Sequence, residues 1–174
     1  DVRLVVAGPV DDWLEYALAD AIRRASSASD RVHLLGTSDA AAVLAASDAF
    51  VLDSFFEGWP VAATEAVAAG LPLLISEVGG ATELVDEGRR GWLFDNPAAA
   101  PQHLDYRSIQ RARRSVDRQR NRLGLQHAVL SVAEGIDDWR SRRTELSSRA
   151  RTSLASSVMV ERHARVILEH AKGA

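Results

Sequence analysis

The chain has 174 residues, 47% hydrophobic and 26% charged, which is the composition of a folded domain and not of a disordered segment. It has no cysteine, which excludes a disulfide framework, a thiol nucleophile and a thiolate metal site, and fits a reducing, cytoplasmic setting. The net charge of -3 hides a split: residues 1–97 carry 16 acids against 6 arginines, and residues 98–174 carry 8 acids against 14 arginines and Lys172.

In chain order, residues 2–8 form an apolar run that suits a strand buried on both faces. The chain opens inside this run, which reads as a cut from something longer. Asp12 stands as a helix cap before Leu14, Leu18, Ile22 and their alanine neighbours, which recur at helical spacing. A second strand is predicted over 31–35, ended by Gly36, and Ser38 or Asp39 caps an alanine-rich helix to Ala46. A third strand over 49–53 leads into a loop over 54–59. Pro60 and Gly70 then bracket a helix of roughly ten residues, about 15 Å long. A fourth strand follows over 71–76, a turn at Gly79 and Gly80, a short helix to Glu87, and a fifth strand over 91–94.

This alternation implies a Rossmann-like α/β fold, a parallel sheet flanked by helices, with ligands at the carboxyl ends of its strands. After Asn96-Pro97 the pattern turns all-helical, with a basic helix predicted over about 105–122 and others over about 137–155 and 158–172. The organisation read from this is a core over 1–97 and a helical extension of the same domain over 98–174.

The stretch from Glu57 to Pro72 concentrates the chemistry. It lies past a strand's carboxyl end and opens a helix. Gly58 lets backbone approach a ligand, and the free N–H groups and dipole of the helix start favour a phosphate. Glu57 stands in the loop and Glu65 eight positions on, in an otherwise apolar helix. Helical side chains lean toward the N-terminus, which aims Glu65 back at the loop. Two carboxylates beside a phosphate site suit a nucleotide joined to a sugar, because carboxylates accept hydrogen bonds from paired hydroxyls. Trp59 stacks on a sugar or packs on its own domain; the residues leave both open.

Ser54, Glu57, Gly58, Pro60, Glu65, Ala66, Gly70 and Pro72 match in order the signature of the family 4 retaining glycosyltransferases of GT-B fold, and the chain resembles their C-terminal, donor-binding domain. Asp53 replaces the family's usual proline. Gly79, Gly80, Glu83, Val85, Gly88 and Gly91 resemble the next block. The likeness covers residues 1–97 closely and returns weakly at 140–172.

The resemblance implies that Glu65 holds the ribose hydroxyls of the donor and that Glu57, the catalytic candidate, contacts its sugar. Ser54, Gly58, Trp59 and Pro60 would line the diphosphate and sugar site, with Gly36, Thr37 and Ser38 near the base. It implies a hexosyltransferase-like enzyme that needs no metal and no cofactor beyond its nucleotide-sugar substrate. The family's arginine and lysine that clamp the diphosphate follow a strand that would precede residue 1, and its acceptor-binding N-terminal domain is a further partner. The isolated chain is therefore expected to bind donor weakly and to transfer nothing.

Two rival readings stand beside this one: a non-catalytic module that holds a sugar nucleotide or a partner, and a glycoside hydrolase using Glu57 and Glu65 as acid and base. The arginines at 107, 111, 113, 114, 118, 120 and 122 read as a solvated face or, more sharply, as a peripheral foot on an anionic membrane. Nucleic acid is not expected, since aromatics are not interleaved.

Overall fold

The structure, a computed structural model, describes residues 2–114 and 119–171. The chain divides into two compact units, Asp1–Ser47 and Asp48–Ala174.

In the first unit, strand β1 (Leu4–Ala7) pairs in parallel with β2 (Val32–Gly36), with Leu4 opposite Val32 and a register shift between Val6 and Ala7. Parallel partners need a crossover, and helix α1 (Trp13–Ala25) supplies it. Asp12 caps α1, its side chain accepting from the N–H groups of Leu14 and Glu15 at 2.8 and 3.2 Å. Helix α2 (Ala40–Ala46) is capped by Asp39, not Ser38, whose hydroxyl instead donates to the Gly36 carbonyl. One expectation fails here. The apolar run of β1 is not buried on both faces: all four of its residues are exposed, and Leu14, Leu18 and Ile22 of α1 are also exposed. A strand's faces are buried by what packs on them, and α1, the crossover helix of this unit, buries none of its own residues.

In the second unit, β3 (Phe50–Leu52), β4 (Leu73–Ser76) and β5 (Gly91–Phe94) form a parallel sheet in that order. Leu73 lies opposite Phe50 on one side and Gly91 on the other. The central strand β4 is buried at every residue. Helices α3 (Val61–Ala68) and α4 (Ala81–Val85) make the crossovers. Pro60 takes the N-cap of α3, one position before the first helical turn where its sequence context suggests it.

The predicted basic helix over 105–122 is two helices. Helix α5 (Tyr106–Arg113) ends early, and α6 (Arg122–Glu134) begins with Asn121 as its N-cap. Residues 115–118, with Arg118, lie outside the described residues. The division has a physical cause at Asn121, whose side chain is 1% exposed and turns inward to Asp53 instead of lying on a basic helix face. Helix α6 was not anticipated, although Leu125, Ala128, Val129 and Val132 recur at i, i+3, i+4 and i+7. Ala128 and Val132 pack with Leu74, Phe94, Trp139 and Leu146 into the main core, so helices after residue 97 close the same core as the sheet.

Helix α7 (Ile136–Ser153) contributes Trp139 to that core, its ring 5.5 Å from that of Trp92. It also lies across the end of α3. Arg143 donates to the Ala69 carbonyl at 3.1 Å, and Ser147 and Arg151 donate to the Ala68 carbonyl at 2.6 and 3.2 Å. Cationic donors there satisfy orphan carbonyls and complement the negative end of the helix dipole. Gly70 permits the approach: its φ is +78°, and a Cβ there would lie 2.2 Å from the Arg143 carbonyl oxygen. Helix α8 (Ser156–Ala171) leaves Met159, Val160, Ile167 and Leu168 exposed. No helix among the described residues is long and apolar enough to cross a membrane.

Candidate functional site

The loop from 53 to 60 runs from the carboxyl end of β3 to the start of α3, and buried polar side chains fix it from below. Ser76 ends β4 and is fully buried. Its hydroxyl accepts from the Ser54 N–H at 3.0 Å and donates to the Ser54 carbonyl at 2.8 Å. Asn96, also fully buried, donates from Nδ2 to the carbonyls of Phe55 at 2.9 Å and Glu77 at 3.2 Å. Its Oδ1 accepts from the N–H groups of Ala98 and Ala99. One asparagine thus ties three chain segments together at the sheet's carboxyl edge. Buried amides of this kind must be fully paired to be tolerated, and this one is.

The Gly79-Gly80 turn closes on the same loop. Gly79 has φ +35°, and a Cβ on it would stand 2.1 Å from the Gly58 carbonyl oxygen. A Cβ on Gly80 would meet the Trp59 ring at 2.2 Å. Trp59 therefore covers Gly80, while its indole N–H donates to the Thr64 hydroxyl at 3.0 Å and its ring stays partly exposed. Thr64 in turn donates to the Pro60 carbonyl.

The candidate residues of this loop come together on one scaffold. Ser54 is held as described, and its hydroxyl donates to the Phe56 carbonyl at 3.2 Å. Gly58 is exposed and Pro60 buried at the N-cap of α3, where no side chain caps the helix. Glu57 is half-buried in the loop, and Glu65 is exposed on α3 while Ala63, Ala66 and Val67 face the core. Neither glutamate has a side-chain hydrogen bond or ion pair among the described residues. Gly36, Thr37 and Ser38 belong to the first unit, where they end β2 and lead into α2; Thr37 is exposed.

Asp53, which departs from the family pattern, has a partner 68 positions away. Asn121 Nδ2 donates to its Oδ1, while Asn121 Oδ1 is a buried acceptor with no partner among the described residues. Burial raises the Asp53 carboxyl above its ordinary value, and the Asn121 hydrogen bond opposes that shift in part. Sequence reading missed Ser76, Asn96 and Asn121 as loop anchors. The available signal was a polar residue ending one apolar strand and an asparagine two residues after another strand.

Among the described residues no group of three or more histidine, aspartate or glutamate side chains is gathered to hold a metal. Beside Glu57 a cleft of about 500 Å³ opens between the loop, the Gly79 turn and the segment from Pro101 to Ile109.

Parallel sheets with flanking helices and a loop-to-helix site at their carboxyl edge define a Rossmann-like, GT-B type of domain. Solved structures share this fold. A pneumococcal O-GlcNAc transferase aligns with a TM-score of 0.57 at 18% identity, over 96% of this chain and 29% of its own. The sucrose-phosphate synthase of Thermosynechococcus elongatus aligns with a TM-score of 0.50 at 22% identity, over 88% of this chain and 39% of its own.

The family model for glycosyl transferases group 1 matches residues 1–105, and the chain belongs to that family. It is 42% identical over 66 residues to a UDP-Gal:alpha-D-GlcNAc-diphosphoundecaprenol alpha-1,3-galactosyltransferase of Escherichia coli, covering 37% of this chain and 17% of that one. It is 33% identical over 114 residues to a GDP-mannose-dependent alpha-mannosyltransferase of Corynebacterium glutamicum, covering 60% and 26%. It is 31% identical over 102 residues to a D-inositol 3-phosphate glycosyltransferase of Pseudarthrobacter chlorophenolicus, covering 58% and 24%. The chain thus spans about a quarter or less of the curated relatives it matches.

Proposed function

We propose that this chain is the donor-binding domain of a retaining glycosyltransferase and works with an acceptor-binding N-terminal domain. The observation that carries the reading is a pair of carboxylates without side-chain partners among the described residues, Glu57 in the loop before α3 and Glu65 on α3, whose N-cap makes no side-chain hydrogen bond. The start of α3 takes the diphosphate, whose charge meets main-chain N–H groups and the positive helix end. Glu65 accepts hydrogen bonds from the ribose hydroxyls and Glu57 from the sugar. The membership in group 1 glycosyl transferases supports this, as do the UDP and GDP donors in the names of two relatives. The structural neighbour solved with UDP and GlcNAc agrees in fold.

Departure of a nucleoside diphosphate develops negative charge that preorganised donors must stabilise. The loop from 53 to 60 contains no arginine or lysine. In this reading the cationic groups that meet this charge come from outside that loop. The isolated chain then transfers nothing by itself.

The test is a transfer assay of the full-length protein with UDP-galactose, UDP-GlcNAc and GDP-mannose, with the new linkage read by NMR. One donor is consumed, the anomeric configuration is kept, and Glu57→Ala abolishes turnover. An inverted linkage, or full activity in Glu57→Ala, contradicts the proposal.

A further inference from the structure

Three consecutive residues at the entrance of the site loop are each held by a buried polar side chain from elsewhere in the second unit. Ser76 holds Ser54, Asn96 holds Phe55, and Asn121 holds Asp53. The first two ties are made to main chain and are fully paired. Ser76 Oγ accepts from the Ser54 N–H and donates to its carbonyl, and Asn96 uses both ends of its amide. The third tie differs. It is made to a carboxylate, at the position where the chain departs from the family pattern, and it is incomplete. Asn121 is 1% exposed and its Nδ2 donates to Asp53 Oδ1, yet its own Oδ1 has no donor among the described residues.

A buried amide oxygen without a donor is costly, and the group able to supply one is already in contact. A charged carboxylate only accepts, so it takes the Nδ2 hydrogen bond and leaves Asn121 Oδ1 bare. A protonated carboxyl carries one O–H and keeps an acceptor oxygen. It can accept from Nδ2 and donate to Oδ1 at once, which pairs both ends of the amide. Asp53 is open to solvent, from which the proton comes. Burial favours its neutral form, the Nδ2 hydrogen bond favours its charged form, and burial prevails. No charged group contributes to that balance. On β4 the neighbour of this segment is the neutral Ser76, and beside Asn121 the cations lie elsewhere: Arg120 pairs with Asp95 at 3.9 Å and Arg122 is exposed.

We infer that Asp53 and Asn121 are positioning residues that form a proton-dependent latch on the site loop: a reciprocal acid–amide pair holds the loop entrance to the start of α6 when Asp53 carries a proton, and a single hydrogen bond holds it less firmly when Asp53 is charged. The latch stands on this geometry alone. Its effect on nucleotide affinity rests on the proposed donor reading, because the loop it holds leads into the start of α3.

The experiment compares the full-length protein with Asp53→Asn, Asn121→Ala and the double variant. An amide at position 53 donates and accepts at every pH, so Asp53→Asn is the latch held closed. Amide hydrogen exchange across 53–60 and affinities for UDP and GDP are measured from pH 4 to 7.5. Each result is taken as the ratio of Asp53→Asn to the unsubstituted protein at the same pH. That ratio cancels the exchange chemistry itself and the titration of the nucleotide phosphates.

At pH 7.5 the loop exchanges about fivefold more slowly in Asp53→Asn, the weight of one hydrogen bond, and the ratio falls toward one as the pH approaches 4. The bound nucleotide is held more tightly by Asp53→Asn at pH 7.5, and this advantage fades over the same range. In the Asn121→Ala background Asp53→Asn changes neither quantity. A pH-independent exchange ratio, or the same gain without Asn121, overturns the latch. A latch seen in exchange with equal nucleotide affinity at every pH overturns the positioning role. If Asn121→Ala does not fold, as its melting curve would show, the comparison of Asp53→Asn with the unsubstituted protein decides the matter by its pH profile. Absence of nucleotide binding in both of those proteins removes the donor reading and with it the positioning role, while the exchange ratio still decides the latch.

Discussion

The first unit and the opening of the second are written in the same sequence idiom, and they fold to different degrees of burial. Each offers a short apolar strand, a capped or proline-started helix rich in alanine, and another apolar strand. In the second unit β4 lies between two strands and beneath α6 and α7, and all of its residues are buried. In the first unit the same pattern yields two strands with no buried residue, and α1 exposes Leu14, Leu18 and Ile22. Apolar periodicity specifies an element and the face it needs covered. It does not specify what covers it. In the second unit the cover comes from residues 122–153, far along the same chain.

The largest test of this contrast is a pair of matched truncations. Leu74→Ala removes a side chain from the core and costs about 3 kcal/mol in urea unfolding of this chain. Leu18→Ala, at a residue 61% exposed, changes stability by less than about 0.5 kcal/mol. Equal costs would show that the face of α1 is covered in solution, by a second copy or by further chain.

A smaller effect belongs to the loop anchors. Asn96→Ala strands the main-chain groups of Phe55, Glu77, Ala98 and Ala99 that Asn96 now pairs, at a cost of about 2 kcal/mol. Amide hydrogen exchange across 53–60 accelerates in this variant, while exchange in β1 and β2 stays as it was. A global increase spread over both units would mean that the anchor is not local to the loop.

The smallest effect is a gain. Asp53→Asn gives Asn121 Oδ1 a donor and keeps an acceptor for its Nδ2, which stabilises the chain by about 1 kcal/mol at neutral pH. The pH dependence has a definite sign. The folded pKa of Asp53 is raised, so the folded state holds that proton more tightly and loses stability as pH rises from the unfolded value of 3.8 through the raised one. The advantage of Asp53→Asn therefore grows across that window and shrinks below it. Chemical denaturation from pH 3.5 to 7.5 checks this, and a pH-independent difference would contradict it.

Much of the element order in both units was legible from residues alone because its signals are local. Asp12 and Asp39 cap their helices, Gly70 ends α3, and Gly91 opens β5 at the predicted position. The helix boundaries near 113 and 122 were not legible. Seven arginines over sixteen residues suggest one solvated helix, whereas a buried asparagine pairing with an aspartate 68 positions away makes a helix start at 122. The site shows the same division. Glu57 and Glu65 stand out by spacing and motif. Ser76 and Asn96, which shape the loop, act through contacts about 20 and 40 positions distant that no local pattern encodes.

The most direct test of the central claim is calorimetric titration of the full-length protein with UDP, GDP and ADP, repeated on Glu65→Ala. The account predicts that one nucleotide binds and that the substitution weakens it about tenfold or more, the weight of a charge-assisted hydrogen bond to ribose. Absence of binding by all three, or equal affinity in Glu65→Ala, would contradict the assignment of α3 as the nucleotide-sugar site.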